Sequence, residues 1–96
     1  LSQKILNNNF SVRAYPNPFC ETTTISVVMN RSKTVRLTIW DALGNRISEV
    51  ANGIFEANEH RLELNAGSLP PGIYFLKVTA DRQSQSVKLI KTAPIR

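Results

Sequence analysis

Residues 62–78, which read LELNAGSLPPGIYFLKV, predict two β-strands joined by a tight corner. Leucine recurs at alternate positions of the first strand, and an apolar residue recurs at every second position of the second, as expected when one face of a strand is buried. Pro70 and Pro71 fix φ and lack a backbone donor, so neither strand can run through them. Gly72 allows a positive φ where the chain enters the second strand.

Tyr74, two residues after Gly72, suggests how this corner is held. The arrangement is similar to the tyrosine corner of immunoglobulin-type sandwiches, in which a tyrosine early in a late strand bonds to upstream backbone. We therefore expect Tyr74 to pack inward and to fix the corner through its hydroxyl group.

The rest of the chain supplies short alternating or β-branched segments separated by turn residues, and no segment keeps a helical period for more than two turns. Asn52-Gly53 is the strongest turn dipeptide, and residues 55–59 are ambiguous. The pattern predicts an all-β fold, an immunoglobulin-like β-sandwich of about seven antiparallel strands. The predicted strands cover residues 10–14, 22–29, 35–40, 46–50, 59–64, 74–78 and 85–90.

Length and composition indicate one folded domain. The chain has 96 residues, of which 42% are hydrophobic and 20% charged, and its single cysteine, Cys20, excludes an internal disulfide. No apolar run approaches the roughly 20 residues of a membrane-spanning helix, so no transmembrane segment is expected. We expect residues 1–9 to be a linker from an upstream protein, residues 10–91 to be the domain, and residues 92–96 to be a tail.

The net charge of +5 raises the question of nucleic-acid binding. The cationic residues are scattered singly along predicted strands, with no basic block and no interleaved aromatic residues that would stack on bases. The pattern therefore argues against a nucleic-acid partner, and lysines on strands are typical of protected sheet edges.

No set of residues forms a catalytic or metal-binding pattern. His60 has no second ligand or carboxylate at a motif spacing and is interpreted as structural. Cys20 lacks the partners of a nucleophile, and no glycine-rich phosphate loop or calcium loop is present. We predict that the chain is not an enzyme and needs no cofactor. Two interpretations of Trp40 remain. It lies on a partner-binding surface, including a sugar-binding one, or it is buried by a second sheet or by the end of its strand turning inward.

Four short motifs carry a resemblance to a known family, and their order and spacing make it specific. They are Tyr15-Pro16-Asn17-Pro18-Phe19 followed by a threonine run, Leu37 to Asn45 with Gly44 near its end, Leu69-Pro70-Pro71-Gly72-Ile73-Tyr74, and Val87-Lys88-Leu89-Ile90-Lys91. Over residues 10–91 the chain resembles the type A C-terminal sorting domain of cargo proteins of the type IX (Por) secretion system of Bacteroidota.

The resemblance implies a non-catalytic export signal. Such domains follow a cargo protein into the periplasm, are recognised by the type IX translocation machinery, and are commonly removed by a surface sortase. The cargo is then released or joined to anionic lipopolysaccharide, so a secreted or cell-surface location is implied. Carried onto this chain, the candidate recognition residues are Pro16, Asn17, Pro18, Gly44, Gly72, Tyr74, Lys88 and Lys91, and docking through an edge strand adds Lys77 as a further candidate. The family usually stops close to its last lysine, whereas this chain continues to Arg96.

One docking mode follows from the terminal strand. An edge strand with Lys77, Lys88 and Lys91 would present backbone groups to a receptor, and its cations would attract an acidic partner or lipopolysaccharide. An unpaired edge would also allow a weak homodimer by strand pairing.

The alternative function is an accessory module of the fibronectin or carbohydrate-binding type, with Trp40, Phe55 or Tyr15 as a platform. A structural spacer is a third interpretation. It fits the fold but leaves the motifs at both ends unexplained.

Overall fold

The structure is a computed structural model that describes residues 10–94. These residues form seven strands and no helix, which confirms the predicted all-β fold. The strands are β1 (Phe10–Tyr15), β2 (Thr22–Met29), β3 (Lys33–Asp41), β4 (Arg46–Phe55), β5 (Asn58–Asn65), β6 (Gly72–Ala80) and β7 (Gln83–Lys91).

The strands divide into two antiparallel sheets that pack as a sandwich. A three-stranded sheet has the order β1-β2-β5, and a four-stranded sheet has the order β4-β3-β6-β7. The connection from β5 to β6 therefore crosses from one sheet to the other, and this crossing is the corner expected around Pro70 and Pro71.

The core lies between the sheets and is built from alternate positions of the strands. In β6, Tyr74, Leu76 and Val78 point inward and are buried, as the alternation predicts. β2 and β3 supply the other fully buried aliphatic side chains near the centre, and Leu89 does so from β7. Burial of these side chains is the main stabilising term of a domain of this size.

The prediction of a turn at Asn52-Gly53 is wrong. Both residues lie inside β4, where they pair with Arg36 and Val35 of β3. Gly53 does not take a positive φ, and the chain instead reverses after Phe55, where Asn58 has a φ of 85°. Pairing along β3 overrides the local preference of the dipeptide, and two register shifts in the β3–β4 ladder accommodate the longer strand.

The β3–β4 turn follows the sequence more closely. Gly44 has a φ of 93°, as expected of a glycine in a tight turn. The Asp41 carboxylate accepts hydrogen bonds from the backbone N–H groups of Leu43 and Asn45 and from the Asn45 side chain. These bonds, led by the one from the Asn45 backbone, lower the pKa of Asp41. Asp41 is therefore the residue that orders this turn.

The expected linker 1–9 and the last two residues of the tail lie outside the described residues. Within residues 10–94 no helix is long and apolar enough to cross a membrane.

Candidate recognition surface

The Pro-Asn-Pro motif lies against the end of the last strand. The Asn17 side chain donates a hydrogen bond from Nδ2 to the carbonyl oxygen of Lys88 at 2.7 Å and accepts one at Oδ1 from the N–H of Ile90 at 2.9 Å. These are the two backbone groups that a neighbouring strand would use in a ladder. One side-chain amide therefore takes the place of a peptide group at the outer edge of β7.

Phe19 extends this pairing by one more step. Its N–H donates to the carbonyl oxygen of Ile90 at 2.9 Å, and its own carbonyl accepts from the N–H of Thr92 at 2.8 Å. The Phe19 ring is buried in the core, and buried Thr23 donates to the carbonyl oxygen of Pro16 at 2.7 Å. The loop between β1 and β2, residues 16–21, is thus fixed at both of its ends.

These bonds correct the proposed docking mode of the terminal strand. From Lys88 to Thr92 the outer edge of β7 already has intramolecular partners, so this stretch offers no free backbone ladder to a receptor or to a second copy. Towards the start of β7, the Gln85 side chain donates to the carbonyl oxygen of Phe10 of β1 at 2.7 Å.

Tyr74 occupies the corner as expected. Its side chain is buried, and its hydroxyl donates to the carbonyl oxygen of Pro70, four residues upstream, at 2.6 Å. Gly72 begins β6 with a φ of 154°, a value that side chains other than hydrogen rarely allow. Both residues hold the β5–β6 corner together, and a separate role in recognition stays a prediction.

Lys91 is not on an exposed edge, contrary to the expectation from the sequence. It lies on the inner side of β7, next in phase after Leu89, and its residue is only 4% exposed. Opposite it in the ladder is Gly72, which has no side chain. Terminal lysines are usually solvated, and the alternation of β7 could have indicated this inward placement because Lys91 shares the parity of Val87 and Leu89.

Lys77 and Lys88, in contrast, are exposed on the outer surface of the four-stranded sheet. The expectation that Lys77 belongs to an edge strand is wrong, because β6 lies between β3 and β7. Lys88 is directly opposite Phe75, and Phe75 is opposite Trp40, whose other neighbour is Arg46. A single cross-strand row therefore places two aromatic rings between two cations. The next row pairs Ile73 with Ile90.

We call this surface the cationic face. It consists of Trp40, Arg46, Ile73, Phe75, Lys77, Lys88 and Ile90. Ile73, Phe75 and Ile90 keep 42%, 37% and 36% of their surface accessible, although the outer side of a sandwich strand is normally polar. Sequence reasoning missed these three residues. The signal for Ile73 and Phe75 was the unbroken apolar run from Ile73 to Leu76, because a strand with one buried face exposes every second side chain.

The outer surface of the three-stranded sheet is different in kind. Arg61 forms an ion pair with Glu59 at 3.2 Å, Ser26 donates to Glu59 at 2.6 Å, and the Arg13 guanidinium lies 5.6 Å from the Tyr15 ring centroid. The hydrogen bond from Ser26, followed by those from Arg61, lowers the pKa of Glu59. The charges of Glu59 and Arg61 therefore neutralise each other within the domain.

His60 is placed as a structural residue. Its Nε2 lies 2.7 Å from the carbonyl oxygen of Glu56, which can only accept, so the ring carries a proton on Nε2. Its ring packs on Phe55 with centroids 4.8 Å apart. Cys20 is a free, half-buried thiol, and no cluster of three potential metal ligands occurs in residues 10–94.

The aromatic residues considered for a sugar-binding platform do not share a surface. Trp40 lies on the outer side of the four-stranded sheet, Tyr15 on the outer side of the other sheet, and Phe55 is buried against His60. Trp40 Nε1 donates to Thr38 Oγ1 at 2.9 Å, so its one polar group is already engaged.

A family model described as a secretion system C-terminal sorting domain matches residues 13–92, which is most of the chain. The match includes all four motifs and confirms the resemblance drawn from them. No curated protein matches the chain.

Proposed function

Since the chain belongs to the family of secretion system C-terminal sorting domains, we propose that it directs a larger cargo protein across the outer membrane through the type IX secretion system. A sorting domain of this family interacts with secretion machinery and belongs to a secreted or cell-surface protein. Its work is recognition and not catalysis.

The family match over residues 13–92 is the observation that carries the proposal. The fold supports it because motifs that are distant in sequence meet in one rigid unit. Asn17 and Phe19 bond to β7, and Tyr74 bonds to the corner that starts β6. A domain tied together in this way gives any cargo the same surface to present.

The finer steps of the proposal concern what happens after translocation. We propose that a surface sortase removes the domain by cutting in or before residues 1–9, and that the cargo is then released or joined to anionic lipopolysaccharide. Residues 10–91 would act as the signal, with residues 92–96 as a tail.

The alternative is an accessory binding module of the fibronectin or carbohydrate-binding type. The sequence argument for it was a set of aromatic residues, but Trp40 and Tyr15 lie on the outer surfaces of different sheets and Phe55 is buried. The separation of these rings favours the sorting function over a sugar platform.

The test is export of a fusion protein. The full 96-residue chain is fused to the carboxyl end of a reporter with its own periplasmic signal, in a type IX-competent bacterium and in an isogenic strain without the translocon. We expect the reporter on the surface or in the medium of the first strain and in the periplasm of the second. A binding module would leave the reporter periplasmic in both, and that result would refute the proposal.

A further inference from the structure

The cationic face brings three of the exposed large apolar side chains of residues 10–94 together on one sheet surface. Its apolar side chains do not contribute to the core, since they point away from it, and a contiguous exposed apolar patch on a soluble domain usually marks an interaction site. Its cations lie around that patch, as charges do at the rim of a protein interface.

The charges of this face are not neutralised within the domain. Glu49, the one carboxylate in the β4–β3 part of the outer surface, is bound to Arg36 at 2.9 Å. Among residues 10–94 no carboxylate forms an ion pair with Arg46, Lys77 or Lys88. The excess positive charge is thus available to a partner on this side of the sandwich, whereas Arg61 and Glu59 pair on the other side.

We propose that the cationic face docks on an acidic protein surface, and that the partner inserts apolar side chains between the rows formed by Trp40–Phe75 and Ile73–Ile90. This inference rests on the proposed sorting function and names the part of the domain that the secretion machinery reads. The aromatic and aliphatic side chains supply the buried centre, and Arg46, Lys77 and Lys88 steer and orient the partner.

A protein fits this face better than an anionic glycan does. The one polar group of Trp40, its Nε1, is already bonded to Thr38 and is not free to bond a sugar hydroxyl. The branched side chains of Ile73 and Ile90 do not form a flat platform but match the side chains of another protein.

The experiment uses the reporter fusion in export-competent cells and compares two double charge reversals. Lys77→Glu/Lys88→Glu places two carboxylates on the cationic face. Arg31→Glu/Arg82→Glu makes the same change in net charge at exposed positions in the β2–β3 and β6–β7 turns. We expect the first pair to reduce export about tenfold or more, and the second to leave it near wild type. Thermal unfolding of the purified chains should show all three folded.

A photo-crosslinking residue in place of Phe75 identifies the class of the partner. The control places the same residue at Val28, on the outer surface of the other sheet, because Phe75 and Val28 are similarly exposed, at 37% and 43%. Support requires a protease-sensitive adduct at Phe75, identified by mass spectrometry as a translocon component and lost on Lys77→Glu/Lys88→Glu. A glycolipid adduct, or equal adducts at both positions, would overturn the inference.

The two proposals fail in different ways. Normal export of Lys77→Glu/Lys88→Glu alongside normal export of the wild type would overturn the docking inference and leave the sorting function standing. A wild-type fusion that stays in the periplasm would overturn both.

Discussion

Asn17 and Ile90 are 73 residues apart in sequence, and the side-chain oxygen of the first accepts the backbone N–H of the second at 2.9 Å. The same side chain reaches back to the carbonyl oxygen of Lys88, so one residue satisfies two adjacent groups of an edge strand. Exposed strand edges favour unwanted pairing with other chains, and covering them is a common protection. The Pro-Asn-Pro motif therefore has a structural task here, which is to close the end of β7.

Replacing Asn17 with alanine should loosen this end of β7. The variant loses two hydrogen bonds, and we expect the free energy of unfolding to fall by about 1–3 kcal/mol. Amide hydrogen exchange should become faster at Ile90 in particular, because its N–H loses its acceptor. Asn52→Ala, at an exposed position of β4, is the control and should change stability by less than about 0.5 kcal/mol. Unchanged protection of Ile90 would show that the side chain does not hold the strand in solution.

Two substitutions of Tyr74 separate the contribution of its packing to stability from the contribution of its hydrogen bond. Tyr74→Phe removes only the bond to Pro70 and should cost about 0.5–1.5 kcal/mol, whereas Tyr74→Ala also empties a core position and should cost about 3–5 kcal/mol. Chemical denaturation of both variants measures the two terms. Tyr15→Phe is the control because Tyr15 is partly exposed and outside the core.

The same pair of variants tests how Tyr74 affects export. We expect export of the reporter to follow stability, with Tyr74→Phe near wild type and Tyr74→Ala strongly reduced. An unexported Tyr74→Phe that is fully folded would mean that the hydroxyl contacts the machinery directly.

The strands were predictable where the pattern repeats, and the exceptions have physical causes. Alternation located β3 and β6 and the inward position of Tyr74, because a buried sheet face imposes a period of two. The Asn52-Gly53 turn failed because pairing with β3 continues through it. The turn preference of a dipeptide is a local property, whereas its pairing with β3 depends on the tertiary structure.

The candidate site was predictable only in part. The exposure of Lys77 and Lys88 follows from the sequence, since both alternate with buried residues, but Lys77 lies on the inner strand β6 and not on the expected edge. Their apolar neighbours depend on which strands lie side by side, and the pairing of Trp40 with Phe75 joins residues from β3 and β6. The role of Asn17 was equally hidden, because nothing local to it indicates a bond to a strand 71 residues later.

Stability should fall in acid partly through Glu59. Its carboxylate accepts a hydrogen bond from Ser26, which lowers its pKa below the ordinary 4.5. A lowered pKa in the folded state stabilises the protein above about pH 4.5, and this contribution disappears as the pH falls further through the folded-state value. Between about pH 6 and pH 3 the temperature of thermal unfolding should therefore fall less steeply for Glu59→Gln than for wild type. Ser26→Ala removes the same hydrogen bond and keeps the carboxylate, so its slope should move towards that of Glu59→Gln; equal slopes for all three proteins would contradict the assignment.

Substitutions of Gly44 and Gly53 measure the contribution of backbone conformation to stability without a change in steric contacts. An added Cβ would meet nothing within 4 Å at either Gly44 or Gly53, so steric contact is equal at the two sites. Gly44 has a φ of 93° in the β3–β4 turn, whereas Gly53 lies in β4 without a positive φ. Gly44→Ala should therefore cost about 1–2 kcal/mol, because alanine is strained in that region. Gly53→Ala should raise stability by about 0.5–1 kcal/mol, because alanine loses less backbone entropy on folding. Thermal unfolding of the two variants should shift in opposite directions, and a loss of stability at Gly53 would contradict its extended conformation in β4.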